Sequence, residues 1–153
     1  MKTAALLLFL MACAPPTRSS EVVLLWHAYS GPEEAALVQL ATELNASRRG
    51  VTLRLVNVPY DAFSDKITVA VPNGNGPDLF IFAHDRIGDW AEAGVLEPIE
   101  FFVDESIAER FDTQAIAALA YRGSLYGLPL AVKSLALFYR TDLVSFPPRT
   151  TDE

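Results

Sequence analysis

The chain has few of the residues that build metal, redox and nucleophilic sites. It contains one cysteine, Cys13, and two histidines, His27 and His84, among 153 residues. A single cysteine excludes a disulfide within the chain. The histidines show neither HxH nor HExxH spacing, and no G-x-S-x-G nucleophile elbow is present. These absences argue against zinc-dependent, thiol-dependent and serine-hydrolase chemistry, and no cofactor is expected.

Basic residues are also scarce. Lys and Arg number 12 against 19 Asp and Glu, which gives a formal charge of −7. An acidic chain without a polybasic cluster is not expected to bind nucleic acid or anionic lipid. The remaining composition, 51% hydrophobic and 20% charged, is typical of a globular protein. The length is sufficient for one domain with a hydrophobic core.

Residues 1–13 differ from the rest of the chain. Lys2 is their only charge, and the apolar run that follows is far shorter than the roughly 20 residues that a helix needs to span a bilayer. This pattern predicts a signal peptide over residues 1–12; the alternative, a buried helix, would end at Pro15. Residues 10–13, Leu-Met-Ala-Cys, look like a bacterial lipobox. That likeness implies a lipid on Cys13 and a tether over residues 13–20.

Three short apolar stretches alternate with helical patterns after this segment. Strands are predicted at residues 22–26, 51–55 and 79–82. Helices are predicted after three capping candidates, Ser30, Asp61 and Asp85. This alternation is typical of βαβ units and a parallel sheet, so the expected fold class is α/β. The consecutive apolar residues of the third stretch indicate a strand that is covered on both faces.

Further expectations concern the apolar faces and the second half of the chain. The first helix is predicted to bury Leu37, Leu40, Ala41 and Leu44, which recur at helical spacing. Lys66, on the second helix, is expected to be solvated. Helices are predicted at residues 106–111 and 113–121, a tight turn at 122–124, an extended segment at 125–132 and a strand at 133–139. The aromatic residues expected in the core are Trp90, Phe101, Phe102 and Phe111.

Polar and aromatic residues follow the first and third predicted strands, at the sheet edge where open α/β folds bind ligands. Tyr29 and Ser30 follow the first strand, Phe82 ends the third, and residues 83–86 follow it. Several readings of these residues remain open. Ser30 and Asp85 could serve only as helix caps, and a lone histidine is most often hydrogen-bonded and structural. The chemical alternatives are zinc on His27, His84 and Asp85, a triad using Ser30, and a carboxylate pair of Asp85 with Asp89.

Several blocks of sequence resemble one family in the same order. Gly76-Pro77-Asp78, Ala83-His84-Asp85-Arg86 and Gly94-Val95-Leu96 resemble the maltose/maltodextrin-binding proteins of bacterial ABC importers, which are family 1 extracellular solute-binding proteins. Residues 126–132, 136–139 and 147–150 are similar to the same family, and Trp26 at the end of the first strand fits it as well. The resemblance covers residues 22–153.

The resemblance implies the periplasmic-binding-protein type II fold, in which two α/β lobes enclose a ligand. Members are longer than this chain, so the 153 residues are expected to be an N-terminal fragment with an incomplete first lobe. Its parallel-rich sheet is expected to be flanked by helices. Residues 21–131 would form that lobe, and residues 132–153 the hinge strand and the start of the second lobe.

The resemblance also implies a carbohydrate site. Aromatic rings cover the C–H faces of a sugar, and charged planar groups bind neighbouring hydroxyls. The expected ligand-binding residues are Tyr29, Ser30, Phe82, Ala83, Asp85, Arg86 and Lys133. Phe82 lies where maltose binders typically carry Trp, Ser30-Gly31 where they carry Asp-Lys, and Lys133 where they carry a glutamate.

The expected function is therefore binding of an oligosaccharide such as maltodextrin and its delivery to an ABC importer permease. The protein would be exported, anchored to the bacterial membrane by a lipid, monomeric and not an enzyme. The alternatives are a binder of an anionic or modified sugar or a polyol, which Lys133 favours, and a secreted glycoside hydrolase.

Overall fold

The computed structural model describes residues 21–47, 50–136, 138–144, 146 and 150. The predicted signal peptide, Cys13 and the tether therefore lie outside the described residues. The chain divides into two compact units, Met1–Ala83 and His84–Glu153. Among the helices of the described ranges, none combines the length and the hydropathy that crossing a membrane requires.

The first unit contains a three-stranded parallel sheet in the order β2-β1-β3. The strands are β1 (Glu21–His27), β2 (Val51–Asn57) and β3 (Leu79–Ile81). Helix α1 (Gly31–Ala46) connects β1 to β2, and α2 (Tyr60–Ala70) precedes β3. The predicted α/β class with parallel strands is confirmed. In register, His27 pairs with Asn57 on one side and with Ile81 on the other, so all three strands end at one edge.

The buried side chains of the first unit come from the sheet and from both helices, with Ala41 contributed by α1. Phe63 and Ile67 are four residues apart on α2, so they share one helix face, and both are fully buried. Leu25 and Trp26 of β1 are buried as well. The side chain of Asn45 connects α1 to β2. Its amide accepts a hydrogen bond from the Leu53 N–H (2.7 Å) and donates one to the Leu53 carbonyl (3.0 Å).

The prediction that the third strand is covered on both faces is wrong for its first residue. The strand spans Leu79–Ile81 rather than residues 79–82, and Leu79 is 53% exposed. Within the described residues, β3 pairs with β1 alone and is an edge strand. A run of apolar residues predicts a strand, but coverage depends on neighbours that are distant in sequence.

The predicted helix starts and the predicted face of α1 also need correction. Ser30 occupies the N-cap position of α1, but its side chain makes no capping hydrogen bond. Helix α2 begins at Tyr60 after Pro59, so Asp61 lies in its first turn and does not cap it. Leu40 is 62% exposed whereas Ala41 is buried. Leu37 and Leu44 are half-buried, so the buried face of α1 is narrower than the predicted one and leaves Leu40 out.

The second unit consists of short elements. They are a 3₁₀ helix (His84–Arg86), α3 (Ile87–Glu92), a second 3₁₀ helix (Glu100–Phe102), α4 (Glu105–Ala108), α5 (Thr113–Ala117) and a hairpin of β4 (Ala120–Tyr121) and β5 (Ser124–Leu125). Asp104 and Asp112 cap α4 and α5 through their carboxylates. The predicted helix over residues 113–121 is too long, because Ala120 and Tyr121 pair with β5.

The predicted tight turn is confirmed as the two-residue loop of this hairpin. Arg122 and Gly123 both have positive φ angles, 50° and 89°, as the favoured hairpin turns require. The predicted strand at residues 133–139 is not formed in its described residues. A strand exists only where another strand completes its hydrogen bonds, and no described strand pairs with this segment.

The aromatic residues of the second unit divide between core and surface. Trp90 is buried, as predicted. Phe101 and Phe102 are 90% and 79% exposed, so their placement in the core is wrong. Both belong to a 3₁₀ helix, in which consecutive side chains point in different directions. Residue type alone could not reveal their exposure, since burial depends on what packs against them.

Candidate sugar-binding edge

The carboxyl ends of the three strands define the candidate site in the first unit. Strands β1, β2 and β3 end in register at His27, Asn57 and Ile81. The chain therefore leaves the sheet at one edge, through the loops at residues 28–30, 58–59 and 82–83. Open α/β sheets bind ligands in the crevice outside this edge. Tyr29 follows β1, as predicted, whereas Phe82, which was predicted to end the third strand, follows β3.

The loop after β1 is held by the end of β2. Asn57 Nδ2 donates to the Tyr29 carbonyl at 2.8 Å and to Glu34 Oε1 at 2.9 Å. One amide therefore connects the loop to the first turn of α1. Tyr29 is half-buried, and Ser30 is exposed. Sequence reasoning missed Asn57, although a polar residue at the end of an apolar strand was the available signal.

A stack of aromatic rings extends from the core to this edge. Phe82 stacks on the buried Phe63, with ring centroids 4.7 Å apart and an interplanar angle of 10°. Tyr60 also stacks on Phe82, at 5.1 Å and 28°. Phe80 lies 6.1 Å from Phe63 in a tilted arrangement. Ala83, which ends the first unit, is exposed. The ring predicted to meet a sugar is thus part of an aromatic cluster.

Lys66 is exposed, as the sequence suggested, and it also contacts an aromatic ring. Its Nζ lies 4.6 Å from the centroid of the Trp26 ring. This is a cation–π contact, in which the ammonium is attracted by the face of the indole. Trp26 is 6% exposed, so the lysine head covers a ring that belongs to the core. Sequence reasoning missed this pairing because the two residues are 40 positions apart.

His27 is buried at the end of β1, and one of its two ring nitrogens has no hydrogen-bond partner among the described residues. The residue is 2% exposed, and the nitrogen in question is Nδ1. Its backbone carbonyl accepts from the Val58 N–H at 2.8 Å. The described residues contain no group of three or more His, Cys, Asp and Glu side chains that could hold a metal ion.

The remaining predicted site residues belong to the second unit. Asp85 and Arg86 lie in the 3₁₀ helix that opens the unit, and both are exposed. Arg86, not Asp85, is the N-cap residue of α3, and no side chain caps that helix. The alternative reading of Asp85 as a helix cap is therefore wrong. Lys133 is exposed in a segment without regular secondary structure.

The Gly76-Pro77-Asp78 motif has a structural explanation at the opposite edge of the sheet. The Asp78 carboxylate accepts a hydrogen bond from the Leu24 N–H at 2.7 Å. The Asp78 N–H donates to the Leu24 carbonyl at 3.0 Å. A Cβ on Gly76 would lie 2.5 Å from Val71 Cγ2, closer than such atoms approach. The motif sets how the chain enters β3, so it does not contribute to the ligand-binding edge.

These features define a class of protein, namely an α/β unit with aromatic and polar groups at the carboxyl edge of a parallel sheet. A family model described as "Bacterial extracellular solute-binding protein" matches residues 29–153. The chain therefore belongs to that family. The fold expectation drawn from the resemblance, a type II periplasmic-binding-protein fold, is confirmed.

Individual relatives are sugar-binding proteins by name. The maltotriose-binding protein of Pyrococcus abyssi (strain GE5 / Orsay) is 39% identical over 131 residues, which are 86% of this chain and 28% of the relative. The maltooligosaccharide ABC transporter solute-binding lipoprotein of Streptococcus pneumoniae serotype 4 (strain ATCC BAA-334 / TIGR4) is 31% identical over 56% of this chain and 20% of its own.

The fold is similar to that of a solved sugar complex. The crystal structure of a cyclo/maltodextrin-binding protein complexed with maltotetraose matches with a TM-score of 0.72 and 36% identity. The match covers 86% of this chain and 34% of that one. The chain thus spans about a third or less of the length of the proteins it matches.

Proposed function

We propose that this chain contributes to an oligosaccharide-binding protein that delivers a maltodextrin to an ABC importer. The observation that carries the proposal is the aromatic and polar edge of the first unit, in a chain that is 39% identical to a maltotriose-binding protein. Sugar binding requires aromatic faces and hydrogen-bonding side chains in one place. Tyr29 and Ser30 supply such groups after β1, and Phe82 supplies a ring after β3. Ala83 lies beside Phe82, and Asp85 and Arg86 follow next in the chain.

The proposed mechanism is binding without chemical conversion of the sugar. The ligand would be held between two lobes, and it would favour the closed form because it contacts both. Residues 21–131 would belong to the first lobe, and residues 132–153 to the hinge and the start of the second. The ligand-bound protein, a monomer, would then dock on the permease. Names of relatives as binding proteins support a role other than catalysis.

Calorimetry tests the proposed function directly. The protein expressed from its complete reading frame would be titrated with maltotriose, maltotetraose, a sugar acid and a polyol. We expect heat of binding with the glucans and none with the polyol. Asp85→Ala should weaken binding and leave the unfolding temperature unchanged, since Asp85 is exposed and caps no helix. Turnover of any glycoside that depends on Asp85 would contradict a binding protein without catalysis.

The domain assignment has its own test. The 153-residue chain alone should bind maltotriose far more weakly than the product of the complete reading frame, because a closed cleft needs both lobes. Equal affinity would contradict the assignment. The proposed lipid anchor on Cys13 is tested by labelling with a palmitate analogue, which Cys13→Ser should abolish.

A second ligand class follows from Lys133. An exposed lysine donates hydrogen bonds and attracts anions, but it cannot accept a hydrogen bond from a sugar hydroxyl. An anionic or modified sugar is therefore the alternative ligand. In the same titrations, this alternative predicts that a sugar acid binds more tightly than maltotriose. It also predicts that Lys133→Met removes this preference for the sugar acid.

A further inference from the structure

The aromatic stack determines which ring can meet a sugar. Phe82 already has two rings stacked on it, Phe63 at 4.7 Å and Tyr60 at 5.1 Å, with interplanar angles of 10° and 28°. A phenyl ring has two faces, and a pyranose needs one whole face to stack on. Phe82 is half-buried, and both of its stacked neighbours occupy part of its ring surface. It therefore offers a sugar less accessible ring surface than an exposed aromatic residue does.

Tyr60 provides a face that is accessible. It is the first residue of α2, three positions after β2 ends at Asn57. It stacks on Phe82 and is nevertheless 62% exposed, whereas Phe63, on the same helix face, is fully buried. The stack thus runs from the core through Phe82 to a ring at the surface, on the edge where the strands end.

We infer that Tyr60, not Phe82, is the aromatic platform on which the first unit stacks a sugar ring, and that Phe82 is a positioning residue. This inference rests on the proposed function. An exposed tyrosine normally samples several rotamers, and binding would have to freeze them. Here contact with Phe82 already restrains the ring, so less conformational freedom is lost when a pyranose stacks on it.

Calorimetry with maltotriose on the product of the complete reading frame tests the inference. If maltotriose does not bind, the sugar that binds most tightly in the panel above is used. Tyr60→Phe keeps the ring and should bind within about twofold of the wild type, whereas Tyr60→Ala should bind roughly tenfold more weakly. Val69→Ala is the matched control, because Val69 is 64% exposed on the same helix. It should leave the affinity unchanged.

The outcomes separate the inference from the proposed function. Wild-type affinity in Tyr60→Ala overturns the inference and leaves sugar binding intact. Equal losses in Tyr60→Phe and Tyr60→Ala also overturn it, since the hydroxyl rather than the ring face would then carry the contact. If the wild type binds no sugar of the panel, the proposed function is wrong and the inference falls with it.

A chemical readout avoids any variant that fails to fold. Tetranitromethane nitrates exposed tyrosine rings, and peptide mass spectrometry reports modification at Tyr60. We expect nitration without sugar, and a several-fold lower rate with saturating maltotriose but not with sorbitol. A Tyr60 that is unreactive without sugar would be covered by protein instead, which overturns the inference. An unchanged rate in the presence of bound sugar overturns it as well.

Discussion

The aromatic stack in the first unit provides the sharpest prediction about stability. Phe82→Leu keeps an apolar side chain of similar size but removes both ring contacts, the one to Phe63 at 4.7 Å and the one to Tyr60 at 5.1 Å. Aromatic pairs contribute about 0.5–1.5 kcal/mol each beyond the area they bury. We therefore expect the free energy of unfolding of the first unit to fall by about 1–3 kcal/mol.

Most of this loss should arise from the pair formed with Phe63, because that pair is closer and more nearly parallel. A double-mutant cycle that combines Phe82→Leu with Phe63→Leu isolates the energy of this pair. The stability losses of two independent substitutions add to within about 0.3–0.5 kcal/mol, whereas we expect a coupling energy of about 1 kcal/mol between these two. Urea unfolding measures the coupling energy, followed by the combined fluorescence of the two buried tryptophans, Trp26 and Trp90.

Leu79→Ala is the matched control for the cycle. Leu79 is 53% exposed on β3, so its truncation should cost less than about 0.5 kcal/mol. It should also show no coupling to Phe63→Leu. A coupling energy between Phe63 and Phe82 as small as that of the control would refute the argument that the rings stabilise each other.

Three further predictions concern two helix caps and the glycine that precedes β3, Gly76. Asp112→Ala removes a carboxylate that accepts from two backbone N–H groups of α5, so it should destabilise the second unit by about 1 kcal/mol in urea unfolding. A hydrogen bond from Ser106 and the N–H of Ile107 hold the pKa of Asp104 below its ordinary value of 3.8. The ionised Asp104 carboxylate therefore stabilises the fold at pH values above 3.8. This stabilisation is lost as the pH falls from 3.8 through the lower pKa that Asp104 has in the folded state. Gly76→Ala should lower the unfolding temperature, because the new Cβ would lie 2.5 Å from a methyl group of Val71.

Each of these has a control. Asp112→Asn keeps an acceptor oxygen and should retain most of the stability, so equal losses in both variants would contradict the capping role. In thermal unfolding, the stability difference between wild type and Asp104→Asn should narrow below pH 3.8; a constant difference contradicts the assigned cause. Gly74→Ala occupies open space, although its φ is positive (70°). The decrease in unfolding temperature of Gly74→Ala should therefore reflect backbone strain alone. A smaller decrease for Gly76→Ala than for Gly74→Ala would argue against the steric contact with Val71.

The helix–strand order was predictable from the sequence because it depends on local periodicity. The three parallel strands lie where apolar stretches were found, and Phe63 and Ile67 are buried because helical spacing puts them on one face. Predictions failed where a residue's surroundings are supplied by distant parts of the chain. Leu79 was expected to be covered, and Phe101 and Phe102 were expected in the core, yet all three are exposed.

In the candidate site, too, local sequence predicted some features, and contacts between distant residues decided others. The sequence indicated that Tyr29 and the residues after the third strand share one edge of the sheet, since residues that follow parallel strands leave the sheet at the same edge. Asn57 and Tyr60 were missed, because their roles arise from contacts across loops. Neither the Asn57 hydrogen bond to the Tyr29 carbonyl nor the stacking of Tyr60 on Phe82 has a local pattern in the sequence.

The α/β class and the family to which the chain belongs could be recognised from the sequence, and the sequence indicated the sheet edge at which the candidate site lies. These depend on periodicity and on motifs such as Gly76-Pro77-Asp78, which the chain displays directly. Only the tertiary structure decided which faces of the aromatic rings are covered. Stacking places Phe82 against Phe63 and Tyr60 and leaves Tyr60 exposed. Coverage of a ring is a property of three-dimensional packing, so no reading of neighbouring residues could supply it.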